Sequence, residues 1–304
     1  MRHVVSLFDL STAEIEAIFA ITRDLKAKHA TGLRESILPG RVVALLFEKP
    51  SLRTRVSFET GISHLGGNSL FLGSEVGFNA RESLADFGRV ISQYVDAIVV
   101  RAFRHETVVE LAKHCTCSVI NGLTDYSHPC QGLADLYTLR ELLGKFPGHK
   151  IAYVGDANNV ARSLTIGCAR LDLALAVASP KGYGFDEPFL ARLKREAPHA
   201  NLTFTHDPAE AVRGAAAVYT DVWTSMGQEA ETERRMADFA GFQVDARLMA
   251  LAKEDAYFMH CLPAHRGEEV SADVIDGPQS VVVEQAGNRM HVQKGVLTWL
   301  LGRE

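Results

Sequence analysis

Val42-Val43-Ala44-Leu45-Leu46-Phe47, then Glu48-Lys49-Pro50, then Ser51-Leu52-Arg53-Thr54-Arg55: the rest of the chain is read outward from this stretch. Its first six residues are continuously apolar, the pattern of a strand buried on both faces. Pro50 breaks the run. Val56, Phe58, Ile62 and Leu65 then recur at roughly helical spacing until Gly66-Gly67 stops them. Ser51 is therefore the expected N-cap, and Leu52 to Arg55 the first turn. Free backbone N–H groups and the helix dipole at that end favour an anion. Two arginines in the same turn oppose the dipole, so a negative group is expected to compensate them. Two guanidiniums beside two hydroxyls suit a phosphate. A solvated basic turn is the plainer reading, but so many donors directly after a buried strand argue against it.

The same alternation continues on both sides. Ser11 with Glu14 forms a capping box ahead of Ile15, Ile18 and Ile21. Strands are predicted at 69–72, 97–101 and 118–121, helices at 83–94, 106–114 and 132–143, and a loop at 73–81. Strands alternating with helices imply a parallel sheet, whose ligands bind beyond the C-terminal strand ends. Phe47, Arg101 and Asn121 all lie at such ends, so Arg101 is expected to face the pocket of Arg53 and Arg55. His128 and Gln131 lie at a helix start on that side, placed to donate hydrogen bonds to a carbonyl oxygen that gains negative charge. His128 and Cys130 lack a second pair at ligand spacing, which excludes a zinc site.

Pro147 and Gly148 mark a hinge, after which a second doubly wound half follows. Its strands are read at 151–154, 173–178, 202–205, 217–220, 257–260 and 281–284, and its helices at 187–197, 208–213 and 288–301. Gly155-Asp156-Ala157-Asn158-Asn159 sits where a dinucleotide loop would, but lacks the spaced glycines of one. Its amides suit a zwitterionic amino acid instead. Asp221 to Glu229 is a loop at a strand end that carries Trp223, Ser225 and Met226, and such loops more often serve function than packing. The fold class is thus α/β, with two doubly wound parallel-sheet domains and the active site in the cleft between them. The domains are expected at residues 1–145 plus 287–304 and at 146–286.

The 304 residues suffice for two full cores. A net charge of -5 argues against a nucleic-acid or membrane surface, so an anionic ligand has to be held by a local basic pocket. Five cysteines without regular spacing fit a reducing cytosol better than a disulfide framework. Met1-Arg2-His3-Val4-Val5 has no signal-like apolar core, and a cytoplasmic location is expected.

Ser51-Leu52-Arg53-Thr54-Arg55, Arg101 and His128-Pro129-Cys130-Gln131, in that order and spacing, resemble the carbamoyl-phosphate half of the aspartate/ornithine carbamoyltransferase family. Ser225-Met226-Gly227 and His260-Cys261-Leu262-Pro263 resemble its ornithine branch. The resemblance implies that carbamoyl phosphate is bound by Ser51, Leu52, Arg53, Thr54, Arg55, Arg101, His128, Gln131, Cys261, Leu262 and Arg289. It implies that L-ornithine is held by Asn159, Asp221, Ser225 and Met226, with Asp221, Cys261, Arg101 and His128 at the reacting atoms. It further implies citrulline and phosphate as products in arginine metabolism, no metal or other cofactor, and a homotrimer or multiple of trimers. Relatives usually carry Gln or His where this chain has Gly77, in a loop that reaches a neighbouring subunit. Either Asn79 supplies the missing donor or that contact is weaker. A sibling acting on putrescine or N-acetylornithine, or a catalytically silent binding homologue, are the rival readings.

Overall fold

Ser11 caps the first helix reciprocally, as its spacing to Glu14 implies. The Glu14 N–H donates to the Ser11 hydroxyl at 3.3 Å, and the Glu14 carboxylate accepts from the Ser11 N–H at 2.9 Å. That helix, α1, covers Thr12–Ala30 in a computed structural model that describes residues 1–73, 82–225 and 228–302. The chain continues through β1 Val42–Phe47, α2 Leu52–His64, β2 Asn68–Leu72, α3 Leu84–Ile91, β3 Ala97–Arg101, α4 His105–His114, β4 Ser118–Leu123 and α5 Pro129–Leu143. Most of the expected loop at 73–81, with Gly77 and Asn79, lies outside the described residues. α5 begins three residues earlier than periodicity suggests, because Pro129 at its start has no N–H to lose.

The next elements are β5 Lys150–Val154, α6 Asn159–Arg170, β6 Ala174–Ala178, α7 Glu187–Glu196, β7 Leu202–Thr205, α8 Pro208–Val212 and β8 Ala217–Thr220. They are followed by α9 Thr232–Asp238, α10 Ala246–Met249, β9 Tyr257–His260 and α11 Ala272–Ile275, and the last helix is α12 Val282–Leu301. Chain contacts divide these elements into two units. One comprises Met1–Tyr137 with the segment from Gly287 on, and the other Thr138–Ala286.

Among the described residues each unit is built on one wholly parallel sheet, as the alternation in the sequence predicts. The first has strand order β2-β1-β3-β4 and the second β7-β6-β5-β8-β9. In each, the chain first winds outward and then returns to the other side of its starting strand. The switch points therefore fall between β1 and β3, where Phe47 pairs with Arg101, and between β5 and β8, where Val154 pairs with Thr220. Crevices of this kind, beyond the carboxyl ends of strands, are where α/β sheets bind ligands. The β3–β4 register shifts at Val100/Arg101, so Arg101 stands opposite Leu123 and is re-aimed at the strand end. Gly122 permits this crowding, since a Cβ there would lie 3.1 Å from Val99 Cγ1 and 3.2 Å from the Val100 carbonyl. Ala44, Leu46, Ile98, Val100 and Val119 pack with Val108 and Leu111 in the first core. Ala152, Val154, Val218 and Phe258 pack with Trp223 and Phe239 in the second.

The strand expected at 281–284 is instead the start of α12, which runs six residues further towards the N-terminus than the helix expected at 288–301. Among the described residues, pairing of this segment with β9 is confined to one bridge at Ser280, flanked by Phe258 N–H to the Gln279 carbonyl (2.8 Å) and Val281 N–H to the Phe258 carbonyl (3.0 Å). The chain then turns, and the Gln285 N–H donates to the Val281 carbonyl at 2.9 Å. Val281 and Val282 are buried while Val283 is 78% exposed. That is a helix entering a core edge-on, and three apolar residues followed by Glu284 are too few to separate it from a strand by period.

Candidate active site

The first site is built at the β1/β3 switch point. The Thr54 N–H donates to the Ser51 hydroxyl at 3.3 Å, so Ser51 is the N-cap of α2, and the first turn holds no acidic residue. Thr54 is buried beside Gly122, and its hydroxyl accepts from Arg289 Nη2 at 2.8 Å. Arg289 Nη1 donates to Gln131 Oε1 at 2.6 Å, and Gln131 Nε2 donates to Asp135 Oδ1 at 2.8 Å. One guanidinium thus ties α12 to the heads of α2 and α5. Arg101 is buried, and its Nε meets no hydrogen-bond partner among the described residues. Burial, then the charges of Arg289 and Arg53, push its guanidinium down to about 10. Burial first, and then Arg289 and Arg101, hold the His128 imidazole well below its ordinary value, so it is neutral at physiological pH.

Three guanidiniums that repel one another around a neutral imidazole make an anion site. A phosphate there relieves the repulsion and accepts the hydrogen bonds. Leu52 is exposed in the same turn and offers its backbone alone. Arg55 lies on the exposed side of α2, where its Nε is 3.0 Å from Glu59 Oε1 and its guanidinium stacks 3.7 Å from the Phe71 ring centre. The structure therefore groups Arg53, Thr54, Arg101, His128, Gln131 and Arg289, and leaves the Arg55 side chain with partners of its own.

The second site stands at the β5/β8 switch point. Asp221 follows β8 and is buried; its Oδ2 accepts from Asn158 Nδ2 at 2.7 Å and its Oδ1 from the Cys261 thiol at 3.0 Å. Asn158 also caps α6, its Oδ1 accepting from the Val160 and Ala161 N–H groups at 2.9 and 3.1 Å. Asn159 occupies the first helical position instead, and its Oδ1 accepts from the Val160 N–H at 3.0 Å. Ser225 N–H donates to Gln228 Oε1 at 3.1 Å, and Met226 lies outside the described residues.

The corner at Cys261-Leu262 is held from behind by His260. The Leu262 N–H can only donate, so His260 Nδ1 accepts it at 2.8 Å and the ring proton sits on Nε2, 3.1 Å from Glu269 Oε1. Leu262 itself takes a left-handed φ of 59°. Asp221, His260 and Cys261 bring three possible metal ligands within 4.8 Å of one another. Both imidazole nitrogens are already engaged, however, so this set is organised for hydrogen bonding and not for coordination.

Sequence reasoning missed Arg235, which belongs to no motif. It is buried, with Nη1 2.7 Å from Asp156 Oδ2 and 2.9 Å from the Trp223 carbonyl, and Nε 2.9 Å from Glu231 Oε2. Its i,i+4 spacing to Glu231 is visible in the sequence, but the partnership with Asp156, 79 residues away, is not.

Residues 2–141 match the family model of the aspartate/ornithine carbamoyltransferase carbamoyl-P binding domain, and residues 147–300 that of the Asp/Orn binding domain. The chain belongs to the aspartate/ornithine carbamoyltransferase family. Among curated members it is 51% identical to an ornithine carbamoyltransferase of Anoxybacillus flavithermus, over 99% of this chain and 96% of the relative. It is 50% identical to that of Bacillus subtilis, over 99% of this chain and 94% of the relative. The solved ornithine carbamoyltransferase of Pyrococcus furiosus superposes with a TM-score of 0.95 at 48% identity, covering 99% of this chain and 97% of that one. In this family frame the arginine cluster falls in the carbamoyl-P stretch, except for Arg289. That residue lies in the stretch matched by the second domain model, yet it belongs by contact to the first unit.

Proposed function

We infer that the protein transfers the carbamoyl group of carbamoyl phosphate to the δ-amine of L-ornithine, giving L-citrulline and phosphate. The arginine cluster carries this reading, since it offers an anion site in which a guanidinium, a threonine hydroxyl and a glutamine are hydrogen-bonded together. Arg53, Arg101 and the head of α2 hold the phosphate. Arg101, His128 and Thr54 draw charge from the carbamoyl carbonyl as it becomes tetrahedral. The neutral δ-amine attacks the carbonyl carbon; a C–N bond forms, the C–O bond to phosphorus breaks, and phosphate leaves with the electron pair. An alkylamine has an unperturbed pKa of roughly 10, so it must lose a proton before attack. Asp221, with the Cys261 thiol on one oxygen and Asn158 on the other, retains lone pairs for an ammonium. Asp221, or Cys261 once its thiol proton has passed to Asp221, is the acceptor at hand before attack, and the departing phosphate takes the second proton, which the nitrogen loses as the C–N bond forms. Asn159 and Ser225 complete the ornithine site, and Ser51, Leu52, Arg55, Gln131 and Arg289 the carbamoyl-phosphate site.

We place the protein in the cytoplasm and in arginine biosynthesis. Five free thiols agree with a reducing compartment, and a Pyrococcus furiosus relative is described as anabolic. We also read it as a homotrimer. Leu52, Val56, Leu70 and Phe71 are exposed on the edge strand β2 and the helix α2 packed on it, the kind of surface a second copy covers. Colorimetric detection of the ureido product with ornithine, putrescine or N-acetylornithine as acceptor tests the reaction. Citrulline formation from ornithine alone supports it, and ureido product from another amine, or none from any, overturns it.

A further inference from the structure

Away from the arginine cluster, three helices of the first unit bring their basic residues together. His29 is in the last turn of α1, His64 ends α2, and His291 and Lys294 share a face of α12. The His29 ring centre is 5.3 Å from that of His64 and 5.0 Å from that of His291. The Lys294 stem passes Gly61 of α2, where an added Cβ would be 3.4 Å from its Cγ, and the residue is only 2% exposed. Among the described residues no carboxylate is paired with its ammonium, which opens on a small cavity. Nδ1 of His64 and Nδ1 of His291 are likewise buried with no partner among those residues.

The surrounding groups do not supply the missing negative charge. Glu35 lies 2.5 Å from Lys28 Nζ, and Asp24 lies 2.7 Å from the same nitrogen. Arg34 donates to the His29 and Leu33 carbonyls at 3.1 and 3.2 Å and adds a positive charge. The C-terminal ends of α1 and α2 point partial negative charge here, but their last carbonyls already accept backbone N–H groups from Thr31, Gly32, Leu65, Gly66 and Gly67. Burial, then Arg34, pushes the Lys294 amine down to about 8, which still leaves it mostly protonated at neutral pH.

Lys294 lines a cavity of about 10 Å³ with Lys28, Arg34, Glu35 and His64, walled by Leu25, Leu33 and Leu65. That is room for one water-sized particle and no polyatomic anion. We propose that Lys294 holds a single halide ion, chloride in the cell, in this cavity at the meeting point of α1, α2 and α12. The ion ties the helix that carries Arg289, five residues before Lys294, to the helix that carries Arg53 and Thr54, without touching a reacting atom. Lys26 and Asn288, 2.7 Å apart, close the neighbouring contact between α1 and α12.

The test uses bromide as probe. Crystals of the full chain grown in sodium bromide are measured at the bromine absorption edge. The expected result is an anomalous peak within hydrogen-bonding reach of Lys294 Nζ that is lost in Lys294→Met. In solution the wild type melts higher in sodium bromide than in sodium gluconate at equal ionic strength, whereas Lys294→Met melts alike in both. A wild-type map with no bromine signal beside Lys294 overturns the proposal even if the variant fails to fold, as does an unchanged anion response in a folded Lys294→Met.

Discussion

Arg235→Met removes a guanidinium and keeps most of its bulk. What it leaves behind is Asp156, whose side chain is 13% exposed and which loses a charged partner 2.7 Å away. Breaking one member of a buried pair costs about 3–5 kcal/mol, mostly from the stranded charge. The Trp223 carbonyl loses its donor too, and with it the loop that runs from Asp221 to Ser225. The pH dependence has a definite sign. Burial raises the Asp156 carboxyl above its ordinary value, Arg235 pulls it back, and the charge of Asp221 raises it again. Without Arg235 the folded-state value lies further above the unfolded one, so the variant is most stable in acid. It loses stability as pH rises through the folded value, and its deficit against wild type therefore widens towards alkaline pH. Of the two tryptophans, Trp223 stacks on Phe239 in this unit and Trp299 lies in the other. Urea melts followed by fluorescence in a Trp299→Phe background thus report the unit concerned. A cycle with Asp156→Asn is expected to give a coupling of about 2 kcal/mol or more, with the double variant recovering part of the loss. A coupling under about 0.5 kcal/mol, with a deficit flat across pH, would refute the buried-pair account.

Arg289→Met withdraws two donors from the proposed carbamoyl-phosphate site, and kcat/KM for carbamoyl phosphate at saturating ornithine is expected to fall by about 10²–10³. Unchanged steady-state kinetics would remove Arg289 from the site. His128, labelled at Cε1 and followed by NMR, is expected to stay neutral as pH is lowered from 8 through its ordinary value of about 6.5. Because its folded value is depressed, its contribution to stability is intact above that pH and declines below it; a titration near 6.5 would show that the ring is not buried between two arginines.

Local chemistry made the first site legible. An N-cap, a first turn without acids and a buried strand before it are all short-range signals, and the switch point follows from strand order once the alternation is read. What escaped the sequence were choices made at long range. Asn158 and Asn159 are adjacent amides, and only the phase of α6 decides that Asn158 reaches Asp221. No local signal marks Arg235, whose partner Asp156 is brought to it only by the fold. Residues 281–284 read as a strand because β-branched residues favour one, yet the backbone finds a single bridge beside β9 and then completes its hydrogen bonds as helix. In each case tertiary packing outvoted a local preference.

Arg289 reaches its unit only after the whole of the other unit has been threaded between. During translation the parallel sheet of β1 to β4 can assemble early, but its guanidinium clamp is still unmade while 149 residues, Thr138–Ala286, leave the ribosome. A stalled nascent chain therefore displays Thr54 and Gln131 without the arginine that joins them until synthesis has passed the other unit. A circular permutant that begins with α12 would reverse this order, and its first unit would ripen while the second is still being made.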